Sequence, residues 1–112
     1  YENLFGIKPG PILENVDYAV RGCFISVGST NLELVQATSS SSTVAKFIET
    51  RGEGLHHICF EVNDLAKRID QLKAAGVRLV DQQPRKGLAG GMVAFLHPSA
   101  TQGVLIELGQ HA

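Results

Sequence analysis

Two well-separated segments, LHHICFEV at 55–62 and GVLIELG at 103–109, alternate apolar with other side chains at a period of two. That alternation constrains the fold most, because side chains two apart in a strand share one face of a sheet. Ile58, Phe60 and Val62 are expected on one face, with His57, Cys59 and Glu61 on the other. In the second segment Val104, Ile106 and Leu108 oppose Glu107, and in a third, TNLELVQ at 30–36, Leu32 and Leu34 oppose Glu33. Each strand thus sets one imidazole or carboxylate apart from its apolar face, and the three together suggest one shared site.

The residues between these strands define a repeating unit. After the strand at 55–62, Asn63 is placed to cap a helix over 64–75, with Leu65, Ile69 and Leu72 spaced for burial and Gly76 ending it. Strands are expected at 77–81 (VRLVD), 91–98 (GMVAFLHP) and 103–109, so the order is strand, helix, strand, strand, strand. The first part of the chain ends in the same order. Leu4 and Phe5 look like the last turn of a helix closed by Gly6, and PILENVDYA follows as a short edge strand or loop. A strand at 21–28 then turns at Gly28 and Ser29 into the strand at 30–36. A serine of the ATSSSS tract can cap a linking helix over 43–51, with Val44, Phe47 and Ile48 on its apolar side.

The expected fold is therefore α+β, with two βαβββ modules of which the first lacks its leading strand and most of its helix. Residues 1–52 form the incomplete module plus linking helix, residues 53–112 the second module, and together they make one domain. Glu33 and Glu107 fall in equivalent last strands. By that symmetry, a leading strand expected upstream of Tyr1 should carry a further ligand.

Composition excludes several classes. A chain of 112 residues with 44% hydrophobic content supports a small core, not a large multidomain enzyme. Its net charge of −1 and scattered basic residues argue against nucleic-acid binding. No apolar run reaches the roughly 20 residues of a membrane span, and no signal-peptide pattern opens the chain. A cytoplasmic location is expected, with Cys23 and Cys59 reduced.

The runs STVAKFIETRGEGLHHICFEVNDL, VRLVDQQPRKGLAGGMVAFLHP and GVLIELGQ resemble the vicinal oxygen chelate (glyoxalase-like) superfamily, and within it most closely the methylmalonyl-CoA epimerases. The resemblance covers nearly the whole chain. It implies paired modules whose strands hold a divalent metal, Co²⁺ first, with Mn²⁺, Ni²⁺ or Zn²⁺ as alternatives. The matching ligand positions are Glu33, His57 and Glu107. The family's first ligand, a histidine near the N-terminus, has no counterpart here. Glu107 would also take up and return the α-proton of the acyl-CoA substrate, through an enolate stabilised by the metal. A second glutamate that some members use falls near Gly22, where no carboxylate stands, which leaves Glu61 as a weak candidate. The resemblance further implies a homodimer.

Less specific readings stand beside these. His57 could be a hydrogen-bonded histidine at a sheet edge, and Glu33 a solvated strand residue. An unpaired Glu107 between Ile106 and Leu108 is harder to account for, since burying a carboxylate is costly. His56 is expected on the apolar face as a structural residue, and His97 either lines the cavity or belongs to the turn before Pro98. The 84–91 loop, PRKGLAGG, is either a mobile loop with solvated charges or brings Arg85 or Lys86 to a phosphate of CoA. Two other functions fit the same fold: a glyoxalase I type lactoylglutathione lyase, and a non-catalytic small-molecule-binding protein of the resistance type.

Overall fold

A hairpin dominates the first half of the chain in the computed structural model, which describes residues 1–111. A one-turn helix α1 (Glu2–Phe5) is closed by Gly6, whose N–H reaches the Glu2 carbonyl at 2.8 Å. Three antiparallel strands follow, β1 (Leu13–Asn15), β2 (Val20–Val27) and β3 (Thr30–Ala37), in the order β1-β2-β3. Gly28 adopts φ +62 between β2 and β3, a left-handed turn conformation that costs glycine nothing. β2 buries Val20, Cys23 and Ile25, so its burial does not follow a plain alternation. The last serine of the polar tract, Ser42, caps helix α2 (Thr43–Arg51) by accepting from the Val44 N–H at 3.2 Å. Val44 is buried, whereas Ile48 remains 40% exposed.

The chain divides into two compact units, Tyr1–Gly54 and Leu55–Ala112. In the second, β4 (Ile58–Glu61) leads into helix α3 (Leu65–Ala74), followed by β5 (Arg85–Lys86), β6 (Met92–Leu96), a short 3₁₀ turn (Pro98–Ala100) and β7 (Ile106–Gln110). The sheet order is β4-β7-β6-β5, with β4 and β7 parallel and the other pairs antiparallel. Helix α3 presents Leu65 and Ile69 to a core completed by Leu79, Ala94, Leu96 and Leu108. This mixed α+β architecture is the expected fold class.

Several local expectations are corrected. Asp64, not Asn63, caps α3, its carboxylate accepting from the Lys67 N–H at 3.1 Å. No strand forms over 77–81, where only Leu79 bridges to Leu96. The reason is chemical: the Phe95 N–H donates to the Asp81 carboxylate at 2.9 Å, so a side chain takes the place a strand carbonyl would hold. The short strand β5 instead arises inside the glycine-rich 84–91 segment. β4 is shorter than expected, and Ile58 and Phe60 are 42% and 55% exposed.

Candidate functional site

His57 lies one residue before β4, and Glu107 is the second residue of β7. The register pairs Ile58 with Ile106 and Cys59 with Glu107, which brings the two functional side chains to the same end of the parallel pair. His57 Nε2 stands 3.9 Å from Glu107 Oε2, both side chains being largely withdrawn from solvent. Phe95, the register partner of Glu107 on β6, sets its ring edge-on to the His57 imidazole at 5.4 Å between centroids.

Burial determines the electrostatics of this pair. Desolvation, with a smaller contribution from His56, lowers the His57 pKa to about 4, so the imidazole is neutral near pH 7. Burial raises the Glu107 pKa, a hydrogen bond with the Cys59 side chain opposes that rise, and the Asp81 charge adds to it. A carboxyl that binds a proton more readily than usual suits general acid and base work.

The His57 shift carries a stability consequence. Because the folded pKa of about 4 lies below the ordinary histidine value of 6.5, the unfolded chain binds more protons between those values. The metal-free protein is therefore expected to lose stability as pH falls from about 6.5 to about 4. Urea unfolding across that window checks this, and His57→Gln should flatten the slope. An unchanged slope in the variant would show that His57 is not the group responsible.

The other expected residues are distributed as follows. Glu33 stands in the middle of β3 in the first unit, half-buried and registered with Phe24. Glu61 is mostly exposed and lies 3.5 Å from His111. His97 belongs to a turn: its Nδ1 accepts from the Ser99 N–H at 3.0 Å and so caps the 3₁₀ segment. His56 does not take the opposite face from His57. Residues 55–57 precede the strand, alternation does not govern them, and the two Nδ1 atoms approach to 2.8 Å. Cys23 is a buried free thiol and Cys59 an exposed one.

A divalent ion suits the donors in the second unit. Neutral His57 carries a lone pair on one ring nitrogen and Glu107 an anionic oxygen. At 3.9 Å apart, both can touch one ion, since such bonds are about 2.0–2.2 Å long. Among the described residues no three His, Cys, Asp or Glu side chains gather as a metal-holding group.

Sequence reasoning missed Asp81. It is 7% exposed, and its second oxygen engages Arg85 Nε at 2.7 Å. The available signal was an aspartate closing the VRLVD run with an arginine four residues later.

Among the described residues no helix is long and apolar enough to cross a membrane. Comparison with known proteins yields a consistent set of relatives. The Glyoxalase/Bleomycin resistance protein/Dioxygenase superfamily matches residues 1–95. The ethylmalonyl-CoA/methylmalonyl-CoA epimerase of Cereibacter sphaeroides is 38% identical over 112 residues, covering 98% of this chain and 84% of the relative. The crystal structure of methylmalonyl-CoA epimerase from Mycobacterium tuberculosis superposes with a TM-score of 0.93 at 32% identity, covering 100% of this chain and 76% of that one. A variant of the Streptomyces coelicolor methylmalonyl-CoA epimerase, in complex with 2-nitronate-propionyl-CoA, gives a TM-score of 0.95 at 31% identity, covering 100% and 82%. The chain belongs to the Glyoxalase/Bleomycin resistance protein/Dioxygenase superfamily and, within it, is a relative of the methylmalonyl-CoA epimerases.

Proposed function

We propose that this protein epimerises methylmalonyl-CoA. The observation that carries the reading is the buried pair of His57 and Glu107, in a chain that aligns over 84% of the length of an epimerase. The carbon between a thioester and a carboxylate carries an acidic proton, and inverting it requires removing that proton and returning one to the other face. Glu107 takes the proton on its carboxylate, which burial has made more basic. His57, neutral and steadied by the edge contact with Phe95, helps to hold the site together without adding positive charge.

Within the second unit, His57 and Glu107 are the residues that would hold a divalent ion, Co²⁺ in the first instance. When bound, it supplies positive charge that stabilises the enolate oxygen as it develops. The homodimer implied by the resemblance belongs to the same reading and is checked by sedimentation.

The test is proton exchange. With a divalent ion in deuterated water, the protein is expected to wash deuterium into the α-position of methylmalonyl-CoA. Failure to exchange with Co²⁺, Mn²⁺, Ni²⁺ or Zn²⁺ would rule the activity out. Turnover of the hemithioacetal of glutathione and methylglyoxal without acyl-CoA exchange would assign the chain to the lyase reaction instead.

A further inference from the structure

Directly opposed residues on neighbouring strands share a face of the sheet. One row across the second unit runs Cys59, Glu107, Phe95 on β4, β7 and β6. The next row on that face, two residues along, runs Glu61, Gly109, Val93, Arg85 and reaches β5. A Cβ built on Gly109 would meet Cys59 Sγ at 3.1 Å and Val93 Cγ1 at 4.0 Å, which confirms that these groups lie on one side. The second row therefore has no side chain at Gly109, its position beside Glu107, and a guanidinium at its far end. Strand spacing and rise place the α-carbons of Glu107 and Arg85 about 12 Å apart, a span that one acyl-CoA covers with its acyl end at Glu107.

Arg85 is braced rather than loose. Asp81, 7% exposed, meets Arg85 Nε at 2.7 Å with one oxygen and takes the Phe95 N–H at 2.9 Å with the other. The Asp81 N–H in turn donates to the Phe95 carbonyl at 3.3 Å. The arginine side chain nonetheless stays 49% exposed. A half-exposed guanidinium braced at its stem-side nitrogen has the planar donor geometry that reads carboxylate or phosphate oxygens.

We propose that Arg85, held by Asp81, is a binding subsite for an oxyanion of the acyl-CoA substrate, either its carboxylate or a phosphate. This rests on the acyl-CoA reading above. Arg85 acts on binding and not on the proton transfer.

The experiment measures steady-state exchange of methylmalonyl-CoA and calorimetric binding of CoA, using the wild type, Arg85→Met, Arg85→Lys and the double variant Asp81→Asn/Arg85→Met. The double variant avoids leaving a buried charge unpaired and so guards against misfolding. KM is expected to rise about ten- to a hundredfold in Arg85→Met and in the double variant with kcat little changed, as for loss of a charge-assisted hydrogen bond. Arg85→Lys should recover part of the loss. If the KM penalty persists with methylmalonyl-pantetheine, which lacks the nucleotide phosphates, the oxyanion is the carboxylate. If it vanishes there while CoA binding weakens, the oxyanion is a phosphate. A folded double variant with wild-type KM and wild-type CoA affinity overturns the subsite and reduces Arg85 to a counter-ion for Asp81. A wild type that neither exchanges methylmalonyl-CoA nor binds CoA overturns the proposed function and the subsite together, so the two failures are distinct.

Discussion

Glu107→Gln is expected to reduce deuterium exchange into methylmalonyl-CoA by roughly 10³-fold or more, near the upper range of what a positioned general base contributes. Glutamine preserves the shape of the side chain and its place opposite Cys59. It cannot accept the α-proton, and it removes the anionic oxygen that faces His57 at 3.9 Å. The loss should therefore fall on kcat, accompanied by weaker Co²⁺ binding in calorimetry. Cys59→Ser, which keeps a donor beside the carboxylate, serves as the comparison and should retain most of the activity. A Glu107→Gln protein within about tenfold of wild type would mean that another group handles the proton.

Ile69→Ala is expected to cost about 2–5 kcal/mol of folding stability, the usual range when a buried branched aliphatic side chain is cut to a methyl. Ile69 is 2% exposed, in the cluster formed by Leu65, Leu79, Ala94, Leu96 and Leu108. Helix α3 and the antiparallel pair β6 and β7, of which β7 carries Glu107, close on that cluster. Alanine itself favours helix, so the cost arises from packing and not from the backbone of α3. Urea unfolding with an unchanged m-value checks this. A loss below about 1 kcal/mol would show that the neighbours collapse into the space.

The α+β fold and the relationship to the epimerases were legible because they rest on local patterns. The hairpin joining β2 and β3, the serine-capped α2 and the α3 stripe of Leu65, Ile69 and Leu72 are each signalled within a few residues. Longer-range competition was harder to read. Nothing in VRLVD indicates that the Asp81 side chain would take the Phe95 N–H and stop a strand from forming. The same interaction fixes Arg85, which the sequence offered only as one of two basic residues in a loop.

At the candidate site, Glu107 was legible from strand alternation and His57 from the family motif, and the structure sets them side by side. Glu33 was identified by the same reasoning and occupies the expected strand. The orientation of His56 was misjudged because alternation was extended to residues that lie before β4, where the backbone is not a strand. Asp81 was missed because its role depends on a partner fourteen residues away.

The contact between the two adjacent histidines couples where their protons sit. A 2.8 Å approach of His56 Nδ1 to His57 Nδ1 requires one ring to donate and the other to accept. For His57 to keep a lone pair on Nε2, its own hydrogen must reside on Nδ1, which leaves His56 as the acceptor with its hydrogen on Nε2. The tautomer of the residue facing Glu107 is thus coupled to that of its immediate neighbour in the sequence, a partner that in many metal-binding histidines is a carboxylate or a backbone carbonyl. A phenylalanine at position 56 would keep much of the ring's bulk yet remove this coupling between the two imidazoles.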